Sequence, residues 1–454
     1  MSLKVIELND SAVRVGDEQG LIATSPGFAL AVGKLLELGD EAKRQARLHP
    51  TSSYNKFWHH LSMEPLAHPN DQVRHFADLA YAHLLHLAEL AEIDDDIIFA
   101  VPGNFTHQQL AILLGLTRQS PFNAVGVVDS AVVGAVNDTS QEKSVIFADI
   151  QLHQVVLTKM MVVDQRLNTD SVIEVPGVGT QNFMELMMEL VTGLFIQQCR
   201  FNPQHNAESE QQLYNQLPLW LQQDDDDKNS LLLELKTDSA VYQAKMPKQS
   251  LVDILNGYYK KIEQQLAALT AEQQGQVLIS QAMGELPGLV AALSHFSGLK
   301  VADETTISKN CLQYQEVIAG DAGGIHLVSA LPLPGKASTN IANTATQECN
   351  NNESPTHALY SNQAFGLGEL EIRNSATLNG QGTAANTLTL SIGGLPEFLG
   401  KIDNEGDQFF LVCGEHGAVV NDKKVAGKQK LNLGDRVSFD ASLDDIRLIQ
   451  VRNG

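Results

Sequence analysis

In the segment Ile97–Val136, two short apolar runs flank one amphipathic stretch. The runs, at 97–101 and 124–128, have the length and the β-branched composition of buried strands. The stretch between them opens at Thr106 and carries leucines at helical spacing. A strand–helix–strand unit with so short a crossover requires parallel strands, so the pattern predicts an α/β sheet covered by helices.

The same alternation of strand-like and helix-like patterns continues over residues 1–335. Further strands are predicted at 3–8, 21–26, 144–150, 154–163 and 276–280, and helices at 71–93, 179–199 and 251–269. Residues 336–363 are rich in Asn, Ser and Thr and poor in aliphatic side chains, which predicts a polar linker. Short β-like runs separated by Gly, Asn and Asp turns then predict a small all-β domain at 364–454.

The composition and net charge of the chain limit the kinds of partner that we expect it to bind. The 454 residues include 43% hydrophobic residues, enough for a substantial core, and the net charge of −23 argues against nucleic-acid or anionic-membrane partners. No apolar run approaches the roughly 18 residues of a membrane span. The first residues, MSLKVIELND, lack the pattern of a secretory signal, and the four scattered cysteines suggest free thiols. We therefore expect a cytoplasmic protein.

Several segments of residues 1–330 together resemble the ATPase domain of seventy-kilodalton heat-shock chaperones, a member of the actin-like superfamily. In chain order they read VIELNDSAVRVG, VPGNF, VVDSAVVGA, SVIFADIQLHQVVLTKM, VPGVGTQNF and QVLISQAMGELPGLVAAL. NKFWHHLSMEPL resembles a bacterial branch of heat-shock-like proteins. The resemblance implies two lobes, built from duplicated ribonuclease-H-like domains, that close on ATP and Mg²⁺. Two glycine-rich loops and an adenosine loop would grip that nucleotide.

The first of these loops, residues 7–11 (hereafter the first loop), departs from the family pattern Asp-Leu-Gly-Thr-Thr. Asn9 replaces the glycine whose missing Cβ lets the backbone approach a phosphate. Asp10 stands where a hydroxyl would face the phosphate. Two unit charges about 4 Å apart repel by about 4 kcal/mol at an effective dielectric constant of 20, so Asp10 disfavours a bound anion.

The second loop, residues 149–154, departs further from the family pattern Asp-Leu-Gly-Gly-Gly-Thr. Three bulky side chains replace the three glycines, and Asp149 alone remains, as a contact for Mg²⁺ if ATP binds. In the adenosine loop Ser280 and Gln281 replace a glycine pair and leave Gly284. The resemblance therefore implies the fold of an ATPase with degraded nucleotide loops.

Two functions follow from this pattern. The first is a non-catalytic scaffold or adaptor that binds protein partners and needs no cofactor. The alternative is a divergent ATP hydrolase acting in chaperone-type or regulatory complexes, with Glu7, Asp10 and Asp149 as candidate catalytic residues. The candidate nucleotide cleft comprises Asn9, Ser11, Gln151, His153, Gly177, Gly179, Thr180, Ser280 and Gly284. Tight-turn geometry is the preferred interpretation of the Gly177–Thr180 segment.

The C-terminal segment 417–440 resembles the last part of forkhead-associated domains. Phosphothreonine recognition in that family uses an arginine, because a phosphate is held mainly by charge-assisted hydrogen bonds. Gly394 occupies that position here, so we expect a degenerate domain that does not read phosphopeptides. Plain β-hairpins remain the alternative.

Two further features favour ordinary structural roles. His75, His83 and His86 on the predicted helix at 71–93 are interpreted as packed or solvated side chains. The acidic run at 224–228 is interpreted as a solvated loop.

Overall fold

The computed structural model divides the chain into two compact units, Met1–Thr339 and Asn340–Gly454. It describes residues 3–66, 69, 73–139, 144–222, 229–238, 240–271, 275–319, 325–334, 355–360, 363–367, 370–374, 387–390, 396–405, 408–414, 416–421, 423–432, 434–439 and 445–449. The acidic run at 224–228, Gly394 and most of the predicted linker lie outside these residues.

The first unit is mixed α/β. Its strands are β1 (Lys4–Glu7), β2 (Val13–Asp17), β3 (Gly20–Ser25), β4 (Ala29–Val32), β5 (Leu35–Leu38), β6 (Ser53–Tyr54), β7 (Asp96–Val101), β8 (Asn123–Asp129), β9 (Ser144–Ile150), β10 (Gln154–Val163), β11 (Arg166–Pro176), β12 (Ser230–Lys236), β13 (Val241–Pro247), β14 (Gln276–Ile279), β15 (Lys300–Val301), β16 (Leu327–Val328) and β17 (Ala330–Pro332). Its helices are α1 (Gly39–Lys43), α2 (Phe76–Leu90), α3 (His107–Thr117), α4 (Ser130–Ala135), α5 (Thr180–Cys199), α6 (Ala207–Gln222), α7 (Lys248–Thr270), α8 (Gln281–Gly284), α9 (Leu289–Leu293), α10 (Thr306–Gln313) and α11 (Gln315–Ile318). Within the described part of the chain, no helix is long and apolar enough to cross a bilayer.

The first sheet has the strand order β3-β2-β1-β7-β8-β16. Strands β1, β2 and β3 form an antiparallel meander. Strand β7 then runs parallel to β1, β8 parallel to β7, and β16 parallel to β8. The pairing of β7 with β8 confirms the parallel unit that the Ile97–Val136 pattern predicts.

The second sheet repeats this connectivity in the order β17-β11-β10-β9-β14-β15. Strands β9, β10 and β11 form the meander, and β14 and β15 continue parallel from β9. Strand β9 therefore corresponds to β1, and the turn after β9 corresponds to the turn after β1. The first loop and the second loop occupy equivalent places in two repeats.

A shared apolar cluster lies between the two sheets. It includes Val5 and Ile98 from the first sheet, Phe147 and Leu278 from the second, and Val132 of α4. The opposite face of the first sheet contributes to a cluster with α2 and α3, and that of the second sheet to a cluster with α5, α6 and α7. The first unit is thus layered as helices, sheet, central helices, sheet and helices.

Local sequence signals account for several helix ends. Thr106 caps α3 and accepts a hydrogen bond from the Gln109 N–H at 3.2 Å, as the sequence predicts. Helix α2 stops at Leu90, short of the predicted end at Ile93, and Glu92 has a φ of 47°. Helix α5 ends at Cys199, where Arg200 adopts the left-handed conformation.

The second unit is β-rich. Its strands are β18 (His357–Tyr360), β19 (Gln363–Gly366), β20 (Leu370–Asn374), β21 (Thr387–Leu390), β22 (Phe398–Glu405), β23 (Gln408–Cys413), β24 (Ala418–Val420), β25 (Lys423–Val425), β26 (Lys428–Leu431), β27 (Arg436–Ser438) and β28 (Ile446–Ile449). They form sheets in the orders β19-β18-β28-β27-β24-β25 and β21-β20-β22-β23-β26, which share one core. Strand β18 lies inside the segment for which composition predicts a linker.

Helix α2 offers a matched test of the core. Leu87 is fully buried and Leu90 is 50% exposed on the same helix. We expect Leu87→Ala to lower the free energy of unfolding by about 2–5 kcal/mol and Leu90→Ala by less than about 0.5 kcal/mol. Urea unfolding followed by tryptophan fluorescence measures this, because both tryptophans, Trp58 and Trp220, lie in the first unit. Equal effects of the two substitutions would contradict the packing of α2.

Candidate functional site

The first loop begins with a buried ion pair. Glu7 at the end of β1 is 5% exposed and accepts a hydrogen bond from the Arg14 guanidinium on β2 at 2.9 Å. Burial raises the pKa of Glu7 to about 7, opposed by Arg14 and reinforced by the negative charge of Asp149. Arg14 therefore stabilises the charged form of Glu7. The sequence does not identify Arg14 as a site residue.

Asn9 connects the first loop to the second. Its amide nitrogen donates to the Asp149 carboxylate at 2.8 Å and to the Ile150 carbonyl at 2.9 Å. Its side-chain oxygen accepts from the Ser11 N–H at 2.9 Å, and the Ser11 hydroxyl reaches the Ile150 carbonyl at 3.1 Å. The residue that replaces the family's glycine thus forms a direct link between the repeats.

Asp10 makes the second link. Its Oδ1 accepts a hydrogen bond from the Leu152 N–H at 2.8 Å. Burial raises the pKa of Asp10 to about 7; the Leu152 N–H opposes this rise and the Asp149 charge adds to it. The Leu152 side chain lies in a small apolar cluster with Phe28, Leu30 and Ala42, so the second loop is anchored by packing as well as by hydrogen bonding.

The glycine-rich segment supports the second loop from the other side. Gly177 has a φ of 70° and donates its N–H to the His153 carbonyl at 3.0 Å. A Cβ on Gly179 would lie 2.3 Å from backbone atoms of Leu152 and His153. At the start of α5, the Thr180 N–H donates to the Gln151 carbonyl at 2.9 Å. This geometry agrees with the tight-turn interpretation of Gly177–Thr180.

Asp149, the first residue of the second loop, lies close to Ser280. Burial raises the pKa of Asp149, and the nearby Ser280 hydroxyl, Arg14 and Asn9 oppose that rise. The Ser280 hydroxyl nevertheless makes no hydrogen bond of normal geometry with any described residue. Gly284 ends α8, where a Cβ would lie 2.7 Å from the Val301 side chain. Gly284 therefore has a packing role against β15.

Asp129 is a further buried carboxylate that the sequence does not identify as a site residue. Asp129 caps α4 by accepting from the Ala131 N–H at 2.9 Å, and it accepts from the Thr169 hydroxyl of β11 at 2.8 Å. Burial raises its pKa. Asp129 thus connects the first sheet to the second. Only its position directly after an apolar strand could have indicated this.

Two of the predicted histidines have hydrogen-bond partners that are near them in space. His153 faces the Asn55 carbonyl, 3.0 Å from its Nε2, and burial lowers its pKa. His83 is fully buried and accepts from the Trp58 indole N–H at 2.9 Å, so its Nε2 donates to the Ser25 hydroxyl at 2.8 Å. Among the residues that the structure describes, no group of three or more His, Cys, Asp or Glu side chains could hold a metal ion.

No family model matches this chain, and a search of curated proteins found no relative.

Replacing Asp10 by Asn tests its buried charge. With a pKa of about 7 in the folded state against an ordinary value of 3.8, Asp10 costs stability as pH rises through that interval. Asn at this position can still accept from the Leu152 N–H. We expect Asp10→Asn to be more stable than wild type at about pH 8, by a few kcal/mol, and this difference to shrink steadily as the pH falls to about 4. Urea unfolding across this range measures the difference; a less stable variant at about pH 8 would contradict the account.

Gly179 and Gly193, both associated with α5, give a matched pair for the tight turn. Gly179→Ala should displace the second loop and cost about 2 kcal/mol or more, because its Cβ would collide with backbone atoms. Gly193→Ala adds a methyl group in open space within the helix and should stabilise by about 0.5–1 kcal/mol. Thermal unfolding of both variants decides the sign. A stabilising Gly179→Ala would show that the loop contact is absent.

Proposed function

We propose that this protein is a non-hydrolysing scaffold for protein partners, built on the two-lobed fold of heat-shock-chaperone ATPases. The repeated sheets support the fold assignment. Each has a three-strand meander followed by parallel strands, as duplicated ribonuclease-H-like domains require. The six sequence segments that resemble the family also fall within the first unit, in the family's order.

The observation that carries the proposal is the hydrogen bond from the Leu152 N–H to the Asp10 carboxylate. Phosphate loops bind anions by directing backbone N–H groups toward them. Here the chain's own carboxylate takes such an N–H group, and the Leu152 side chain is buried beside it. The Leu152 N–H is therefore used by Asp10, which supports loops that contact each other in place of a phosphate.

The charges at the two loops also disfavour nucleotide binding. Glu7 and Asp10 are buried at the loops, Asp149 is partly buried beside them, and the Arg14 guanidinium binds Glu7. A nucleotide phosphate entering this region would meet carboxylates at short range with little solvent screening. Such an arrangement disfavours the phosphate groups of ATP where no cation bridges them to the carboxylates.

Arg47 supports a closed arrangement that needs no nucleotide. It follows α1 in the first half of the unit, and its guanidinium contacts Glu185 of α5 and lies 3.6 Å from Glu210 of α6. It also lies over the Tyr214 ring at 4.9 Å. These contacts connect the two halves at a point distant in sequence from both loops. A unit held closed in this way presents a surface of fixed shape to partners.

For the second unit we infer a degenerate forkhead-associated-like module that binds protein without reading phosphate. The turn after β24 supports the resemblance, because the Asn421 amide donates to Asp435 at 2.7 Å and its oxygen accepts from the Arg436 N–H at 3.0 Å. Saturable binding of a phosphothreonine peptide, absent for its unphosphorylated form, would overturn this inference.

A thermal-shift titration tests the nucleotide claim. At 100 times its dissociation constant a ligand stabilises a protein by about 2.7 kcal/mol, a readily measured rise in melting temperature. We expect no rise with Mg-ATP at about 5 mM.

The variant Asp149→Asn is the matched control for that titration. A saturable rise for wild type that Asp149→Asn abolishes would replace the scaffold by the alternative, a divergent ATPase in which Asp149 contacts Mg²⁺. The scaffold predicts that Mg-ATP leaves the melting curve of each protein unchanged.

A further inference from the structure

A cavity of about 700 Å³ opens beside the first loop, a volume typical of small-ligand sites. Buried residues, among them Asp10 and Trp58, line one part of it. Exposed residues, among them Glu64 and Glu174, line another part. The cavity therefore reaches from solvent to the buried residue Asp10.

The charge of the lining has one sign. Asp10, Glu64 and Glu174 supply carboxyl groups, and no Lys or Arg occurs among the described residues that line the cavity. In a chain of net charge −23 this lining attracts cations and repels anions. An anionic ligand would find no cationic partner there.

Part of the cavity wall is aromatic. It includes the rings of Trp58, His59 and Phe105. The bond from the Trp58 indole N–H to His83 holds the indole in place. Burial, together with the neighbouring His60 and His153, lowers the pKa of His59 to about 4. His59 is therefore neutral at pH 7 and adds an aromatic face without a competing charge.

Glu174 retains a free oxygen for a ligand. Asn104 donates to its Oε1 at 2.8 Å, and Gln154 donates to the same atom at 3.2 Å. No described residue donates to Oε2. These bonds hold the carboxylate at the cavity while leaving one acceptor unused.

We propose that this cavity binds a primary alkylammonium group, with its charge toward carboxylate oxygens and its methylene chain along the aromatic wall. Two sources share this chemistry: a free alkyl diamine and a lysine side chain of a partner protein. The site is argued from its own lining, which includes Asp10 and Gln151 of the two loops, and it goes beyond the proposed scaffold function.

Calorimetric titration of the full chain tests the site, with 1,5-diaminopentane and Nα-acetyl-lysine methylamide as probes of the two sources. 1,5-Pentanediol and glutarate are the neutral and anionic controls of matched length. We expect saturable binding of at least one amine with a dissociation constant of about 1 mM or tighter, weakened by added salt. The better-bound amine identifies the source. Binding of the diol or glutarate as strong as that of the amines, or no amine binding at about 10 mM, would overturn the proposal.

Two variants test whether amine binding depends on the cavity itself. Glu174→Gln removes a charge at the cavity and should weaken amine binding by roughly tenfold, about 1.4 kcal/mol. Glu189→Gln makes the same change at an exposed position on α5 outside the lining and should leave binding unchanged. Equal effects of the two substitutions would show a general response to protein charge and would contradict a site. The melting temperature of each variant verifies that it is folded.

Discussion

The contact between the first and second loops is the interaction on which the rest of the account depends. The Asp10 carboxylate accepts the Leu152 N–H at 2.8 Å, and Asn9 links to Asp149 at the same distance. Both contacts join the turn after β1 to the turn after β9, the equivalent turns of two repeated sheets. Because these turns meet, the two halves of the first unit are held together by their own side chains.

Burial strengthens the hydrogen bonds of that contact and also imposes a desolvation penalty on its carboxylates. Asp10 and Glu7 are removed from water, and their pKa values rise to about 7. A hydrogen bond to a buried carboxylate is stronger than one in water, whereas desolvation penalises the charge that makes it strong. Apolar packing of Leu152 and the Arg47 contacts with α5 and α6 supply stabilisation that does not depend on this charge.

Hydrophobic periodicity and helix-capping residues predicted the secondary structure correctly where the pattern depends on residues close in sequence. The strands flanking Thr106, their parallel pairing and the start of α3 follow from residues close in sequence. The long-range partners of Asp10, Asp129 and Arg47, which are Leu152, Thr169 and Glu185, do not. Each lies more than 30 residues away in sequence, and its contact depends on how the sheets pack. The altered loops are recognisable in the sequence, whereas the contact of Asp10 with a backbone N–H group of the second loop is not, because it exists only once the two sheets have packed.

The most direct measurement is the distance between the two halves of the first unit in solution. Spin labels at Leu35→Cys on β5 and Leu232→Cys on β12 occupy exposed positions, with Cys199, Cys349 and Cys413 replaced by serine and the buried Cys311 retained. Electron–electron double resonance should give one narrow distance distribution that Mg-ATP at about 5 mM leaves unchanged. A broad distribution that Mg-ATP narrows or shifts would contradict a unit closed by its own loops.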